Sequence, residues 1–241
     1  MKKPLIIIPA FNEEKNIRKV VETTRQHSME SEHFDIVVVC DGARDATAQI
    51  VKNMNVSLLE HPINLGAGAA IQTGLKYAVV QGYDIAVVVD GDGQHDPSEI
   101  SKLIKTIEYT DVDVVIGSRF LNNQDVKTHW ARKIGIRLFS LIVSFIGRCK
   151  ITDATSGFRA FNKRTIKLLS REIPADFPDA DMLLFLALSK YKIIEVSVSS
   201  RERQDGESMY SLLRSVYYPL KLFISIIAVL VRFMVERGTS K

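Results

Sequence analysis

Asp84-Ile-Ala-Val-Val-Val-Asp-Gly-Asp-Gly-Gln-His-Asp-Pro97 is the stretch that decides how this 241-residue chain reads. Five apolar positions, Ile85 to Val89, stop abruptly at Asp90, and a second carboxylate, Asp92, stands one residue further on. A short apolar run, unbroken between the acids that bound it, predicts a strand buried on both faces, as in a parallel sheet covered by helices. The acids then lie at the carboxyl end of the strand, where open α/β sheets bind their ligands.

Working outward in both directions, the same alternation recurs. Leu5–Ile8, Asp35–Cys40, Val56–Leu59 and Asp113–Ile116 read as further strands; Glu13–Gln26, Asp45–Met54, Ala69–Gln81 and Pro97–Thr110 read as the helices between them. Four strand ends carry polar signatures: Pro9-Ala-Phe-Asn-Glu13, Asp41-Gly-Ala-Arg-Asp45, Asp90-Gly-Asp-Gly-Gln94 and Gly117-Ser-Arg119. Their convergence on one edge is the basis of the functional expectation.

Composition narrows the class. Hydrophobic residues at 46% and charged residues at 25% are a globular balance, so a folded domain is expected throughout except at the last residues, 238–241. A net charge of +4 suits phosphorylated ligands or an anionic membrane surface and is too weak for a nucleic-acid binder. Two cysteines, Cys40 and Cys149, make neither a disulfide framework nor a zinc site, which points to a reducing compartment. Four strongly apolar residues after Met1-Lys-Lys-Pro4 are too few for a secretory signal.

Beyond Arg119 the texture changes. Lys133–Arg148 and Leu222–Val231 are apolar stretches with cationic flanks, each shorter than the roughly 20 residues of a spanning helix. They read as interfacial helices lying on a membrane, with core helices as the competing reading; for Lys133–Arg148 the two balance, and for Leu222–Val231 membrane contact is favoured. The expected division is a catalytic domain over 1–210, which includes an interfacial helix at 130–148, and a membrane-associating helical segment over 211–241.

Chemistry follows from the residue types. Asp90 and Asp92, with Gln94 and His95 close behind, suit a Mg²⁺ or Mn²⁺ ion bridging a diphosphate, because such cations take few protein carboxylates and fill their shell with phosphate oxygens. Pro9–Glu13 opens a helix, where free N–H groups favour anions; Asn12 also reads as its cap. Asp41 can accept hydrogen bonds from a base or ribose, while Asp45 reads equally as a turn and helix cap. Asn64-Leu-Gly-Ala-Gly68 lacks the spacing of a dinucleotide fingerprint and instead lets backbone approach a sugar nucleotide. Asp153-Ala-Thr-Ser-Gly-Phe-Arg159 suits sugar and phosphate contacts, with a turn holding a structural ion pair as the alternative. Arg201–Tyr210 reads by spacing alone as a solvated charge run.

Taken together these motifs resemble the family 2 glycosyltransferases, in particular the dolichyl- and polyprenyl-phosphate sugar synthases, over about Leu5 to Ser208. The signatures are Pro9–Glu13, Asp41–Thr47, Asp90–His95, Gly117–Arg119, Ser156–Arg159 and Arg203-Gln-Asp-Gly-Glu-Ser208. The resemblance implies a glycosyltransferase A fold: an α/β architecture with a mostly parallel sheet, helices on both faces and C-terminal interfacial helices. It implies nucleotide-sugar contacts at Pro9, Ala10, Phe11, Glu13, Asp41, Asn64, Gly68, Asp90 and Gly91, and metal ligation at Asp90, Asp92 and Gln94. It places the acceptor phosphate against Arg119, Arg132, Lys133, Arg203 and Ser208, with Asp92, Arg119 and Asp153 as the catalytic group. Two residues depart from the family pattern: Phe11 stands for a tyrosine and Ala43 for a serine.

The implied reaction is inverting transfer of a hexose or N-acetylhexosamine, from UDP-GlcNAc or UDP-glucose ahead of GDP-mannose, to a polyprenyl phosphate at the cytoplasmic face of a membrane. A homo-oligomer or small membrane protein would complete the anchoring. Two alternatives accompany it: transfer to a saccharide hydroxyl, which needs Asp153 or Asp181 as a base, and a non-enzymatic nucleotide-sugar sensor.

Overall fold

A computed structural model describes residues 2–30, 33–121, 130–173, 179–199 and 212–239. The expected alternation is present: β1 (Pro4–Ala10), α1 (Ile17–Glu30), β2 (Asp35–Asp41), α2 (Thr47–Lys52), β3 (Ser57–His61), α3 (Ala67–Val80), β4 (Ile85–Val88), α4 (Ile100–Tyr109) and β5 (Val114–Ser118). These are followed by α5 (Trp130–Gly147), β6 (Arg159–Asn162), α6 (Lys163–Leu169), α7 (Ala180–Leu188), β7 (Ile193–Ser197) and α8 (Leu212–Thr239).

The strands form one sheet in the order β3-β2-β1-β4-β6-β5-β7. All neighbours are parallel except β6, which runs antiparallel to both β4 and β5. Because side chains alternate across a strand, β1 sends Leu5 and Ile7 to one core and Ile6 and Ile8 to the other. Helices α3, α5, α6, α7 and α8 cover the first face; α1, α2 and α4 cover the second. Each fully buried aliphatic side chain contributes about 1.5–3 kcal/mol, so the double-sided burial of β1, β2, β4 and β5 is what fixes the sheet. At Gly74 of α3 the helix lies so close to β1 that an added Cβ would enter Ile7 Cγ2.

The structure corrects several local expectations. Glu13 to Asn16 form a turn, with the Glu13 carbonyl accepting from the amides of Asn16 and Ile17, so α1 begins at Ile17. Asn12 has φ of 54° and its Oδ1 accepts from the Arg44 amide at 2.8 Å; it ties two loops together and does not cap the helix. Pro97–Glu99 is a single 3₁₀ turn capped by Asp96, whose Oδ1 accepts from Ser98 N at 3.1 Å, and α4 follows it. The strands β6 and β7 were not foreseen.

Both apolar stretches carry two faces. In α5, Ile136, Phe139 and Val143 are buried, while Ile134, Leu138, Leu141 and Phe145 are exposed along one stripe. In α8, Leu222 and Ile226 join the core; Phe223, Ile227, Val231 and Met234 are exposed. Both helices pack on α7. Among the described residues, no helix is long and apolar enough to cross a membrane.

Candidate active site

The carboxyl ends of the six parallel strands meet along one edge of the sheet, and β6, running the other way, begins there. Arg159 opens β6 opposite Val88 and Ile116, next to the ends of β4 and β5. The antiparallel strand therefore delivers the preceding segment, Asp153–Phe158, to the same edge as the acidic cluster.

At the β1 and β2 ends the first two motifs are stitched together. Glu13 N donates to Thr47 Oγ1 at 2.8 Å, Glu14 N to Asp45 Oδ2 at 3.0 Å, and Ala46 N to Glu14 Oε2 at 3.0 Å. Burial works against ionisation of Asp45, but the hydroxyl and amide of Thr47 hold its carboxyl below the ordinary value. Phe11 remains 39% exposed at this edge, available for a ring contact. Pro9 is half-buried, Ala10 buried and Glu13 half-buried.

Asp41 is a hub. Its Oδ1 accepts from Leu65 N at 2.9 Å and contacts His61 Nδ1 at 2.7 Å; Oδ2 accepts from Gly66 N at 2.9 Å. A buried carboxylate with these partners anchors the Asn64–Gly66 loop to the end of β2. Asn64 is exposed beside it, whereas Gly68 lies inside the first turn of α3 and is buried. Gly42 is required: its φ is 64°, and a Cβ there would penetrate the backbone of Ile63 and Asn64.

The acidic cluster follows β4. Gln94 N donates to Asp92 Oδ1 at 3.0 Å, and Gly93 takes φ of 76° to make the turn. Asp90 Oδ2 lies 3.0 Å from His95 Nε2. Burial raises the Asp90 carboxyl, but the His95 hydrogen bond and the positive fields of Arg119 and Arg159 carry it below its ordinary value. Gly91 passes close to β1, where a Cβ would stand 3.0 Å from Pro9 O. Gly157 covers Asp90 from the other side; a Cβ there would stand 2.9 and 3.0 Å from the two carboxylate oxygens.

Asp90, Asp92 and Gln94 offer oxygen donors only, which fits a hard divalent cation. Among the described residues no group of three or more His, Cys, Asp or Glu could hold a metal alone. The donor set thus fits a cation whose shell is completed by ligand oxygens such as a diphosphate.

Beyond the cluster stands a buried ion pair. Arg119 donates through Nε to Asp153 Oδ2 at 2.7 Å and through Nη2 to Oδ1 at 2.9 Å, and its amide reaches Oδ2 at 3.2 Å. Asp153 is fully buried; burial pushes its carboxyl up, but Arg119 outweighs this and holds it below the ordinary value. An ionised carboxylate occupied in this way anchors Arg119 and is poorly placed to take a proton. Glu195 of β7 supports the pair from behind, accepting from the amides of Thr152 and Asp153 at 2.8 and 2.9 Å. Asp181, also buried, is raised by burial and bound by the Ser225 hydroxyl of α8. Ser140 and Ser144 of α5 hydrogen-bond the amides of Ala154 and Ile151 at 3.0 Å each.

The structure therefore brings Pro9–Glu13, Asp41, Asn64, Asp90–Gln94, Arg119 and Asp153 to one edge. Lys133 and the backbone of Arg132 lie in the first turn of α5; the Arg132 side chain, Arg203 and Ser208 lie outside the described residues. His95, expected to add a ligand or a hydrogen bond at the cluster, makes the hydrogen bond to Asp90, whereas the contacts of Gly157, Arg159 and Glu195 with the site are not foreseen as individual roles. For His95 the spacing after Asp90 held the signal; for Glu195, an acid within an apolar run did.

Comparison with known proteins agrees with this geometry. The family model "Glycosyl transferase family 2" matches residues 5–169. The UDP-N-acetylglucosamine–dolichyl-phosphate N-acetylglucosaminyltransferase of Methanococcus voltae is 35% identical over 215 residues, covering 81% of this chain and 84% of that protein. The dolichyl-phosphate beta-glucosyltransferase ALG5D of Trichomonas vaginalis is 33% identical, covering 90% and 74%. Glucosyl-3-phosphoglycerate synthase from Mycobacterium tuberculosis, solved with Mn²⁺, UDP and glucosyl-3-phosphoglycerate, shares the fold with a TM-score of 0.70 at 16% identity, over 96% of this chain and 79% of that one.

Proposed function

The chain belongs to glycosyl transferase family 2, and from that premise we propose that it transfers a hexose or N-acetylhexosamine, with inversion, from a nucleoside-diphosphate sugar to a polyprenyl phosphate at a membrane surface. UDP-GlcNAc and UDP-glucose lead as donors; the names of the two relatives above carry the same two sugars, and the first of them carries UDP. The nucleotide lies against Pro9–Glu13, Asp41 and the Asn64 loop. Its diphosphate lies at Asp90, Asp92 and Gln94, where a bound Mg²⁺ or Mn²⁺ would neutralise the charge that builds on the departing group.

Arg119, oriented by Asp153 through Nε and Nη2, turns its remaining N–H groups to the acceptor phosphate in charge-assisted bonds, helped by Lys133, Arg132, Arg203 and Ser208. A phosphate oxygen attacks the anomeric carbon from the side opposite the diphosphate; the new C–O bond forms as the bond to the nucleoside diphosphate breaks. The acceptor arrives ionised, so little general-base help is needed. Positioning and charge complementarity supply the rate.

The observation that carries the lipid acceptor is the apolar striping of two helices, one of them attached to the site itself. α5 is hydrogen-bonded through Ser140 and Ser144 to the loop bearing Asp153, and α8 through Ser225 to Asp181. Their exposed stripes suit the boundary between lipid headgroups and acyl chains.

The test is a donor screen with purified protein, Mn²⁺ or Mg²⁺, and either undecaprenyl phosphate, dolichyl phosphate or free saccharides as acceptor, read as radiolabelled product. Label in the organic phase with one UDP-sugar is expected. Label only in a saccharide product would overturn the lipid acceptor.

A further inference from the structure

His95 is 8% exposed, and among the described residues its ring makes one hydrogen bond, from Nε2 to Asp90 Oδ2 at 3.0 Å. Its other ring nitrogen, Nδ1, is buried and has no hydrogen-bond partner among the described residues. A carboxylate only accepts, so Nε2 carries the proton and donates. The ring stacks on Phe158, with centroids 4.8 Å apart and planes 26° from parallel, and Phe158 is itself fully buried. Gly157 leaves no room for a Cβ against either Asp90 oxygen. Phe158 and Gly157 are chain neighbours, so one segment both seats the imidazole and walls in the carboxylate. Asp90 nevertheless keeps 44% of its side chain exposed, so the clamp leaves part of the carboxylate open to the site.

We propose that His95 is a positioning residue for Asp90: it binds Oδ2, locks the carboxylate rotamer against Gly157, and thereby leaves Oδ1 presented to the diphosphate-bound divalent cation. This rests on the reading of Asp90 as a cation ligand. Partners that orient a ligand from behind govern its readiness, and their loss costs about 10–100-fold in metal affinity. A buried histidine whose second nitrogen is unmatched is explained by this task, because a purely packing position is served better by phenylalanine. The single bond it makes is therefore the reason for its polarity.

The test is titration of the full chain with Mn²⁺, alone and with saturating UDP or GDP, following free Mn²⁺ by electron paramagnetic resonance. Variants are His95→Phe, which keeps the ring and its stack, His95→Gln, which keeps an N–H near Nε2, and Asp90→Ala. His95→Phe is expected to melt at or above the wild-type temperature, because the unmatched Nδ1 is gone, yet to weaken Mn²⁺ binding about 10–100-fold. His95→Gln is expected to recover most of that loss. If Asp90→Ala abolishes binding while His95→Phe binds as wild type, the positioning role is overturned. If Asp90→Ala also binds as wild type, the ligand reading itself fails. Should His95→Phe fold poorly, His95→Gln and His95→Leu decide: equal affinity in the two overturns the proposal.

Discussion

Arg119 and Asp153 face each other fork to fork, with Nε and Nη2 donating to both oxygens of a fully buried carboxylate. Lysine cannot reproduce two parallel bonds. Arg119→Lys is therefore expected to lower kcat/KM for the lipid phosphate about 10–100-fold, the equivalent of about 1.5–3 kcal/mol for a charge-assisted contact. Steady-state kinetics with varied acceptor check this; an unchanged acceptor KM and kcat would remove Arg119 from the acceptor site.

Asp153→Asn leaves Arg119 buried beside a neutral partner. Breaking a buried pair costs about 3–5 kcal/mol. Because the folded carboxyl titrates below its ordinary value, its stabilisation is present above the unfolded value of about 3.9 and is lost as pH falls through the lower folded value. Denaturant melts should thus show a wide gap between wild type and variant at pH 7, closing below pH of about 4.

Asp92→Ala removes one of the two carboxylates at the β4 end. Metal-dependent turnover should disappear while the melting temperature changes little, since Asp92 is only half-buried. Activity at the wild-type level across a Mn²⁺ titration would refute the ligand assignment.

On α5, Leu141 is 68% and Phe145 83% exposed. The double change Leu141→Glu with Phe145→Glu should leave stability within about 0.5 kcal/mol each, as for other surface positions. Burying either side chain in lipid is worth about 1.5–3 kcal/mol, so sedimentation with anionic vesicles should fall at least about tenfold.

Gly74 opposes two effects. Alanine in a helix interior gains about 1 kcal/mol over glycine, but its Cβ would run into Ile7 Cγ2, a fully buried side chain with nowhere to go. Overpacking costs about 1–3 kcal/mol. Gly74→Ala is expected to lower stability by up to about 2 kcal/mol in a urea melt.

Much of this was legible in the chain. Apolar runs such as Ile85–Val89 fix parallel strands by composition alone, and once the strands are placed, the acids after them are placed too. What escaped is what depends on chain reversal. Arg159-Ala-Phe-Asn162 is four residues long and starts with a buried arginine, so neither length nor periodicity marks it as a central strand. Its antiparallel course carries Asp153–Phe158 to the acidic cluster. Asn12 was read as a helix cap because caps favour that residue, whereas its φ above zero and its bond to Arg44 belong to a loop-to-loop contact. Asp153 enters as a catalytic candidate only through the family resemblance, and as a base only for a saccharide acceptor; the fork from Arg119 shows it engaged.

The clasp between Arg119 and Asp153 has a further consequence. It closes a long excursion of the chain at its own neck, reinforced by Ser156 Oγ donating to Gly117 O at 2.7 Å and Gly117 N to Phe158 O at 2.8 Å. The segment between those ends begins and finishes at fixed points beside the acidic cluster. α5, which lies between those ends, is packed into the core through Phe139 and Val143, so the neck and the helix are held to the sheet as one unit.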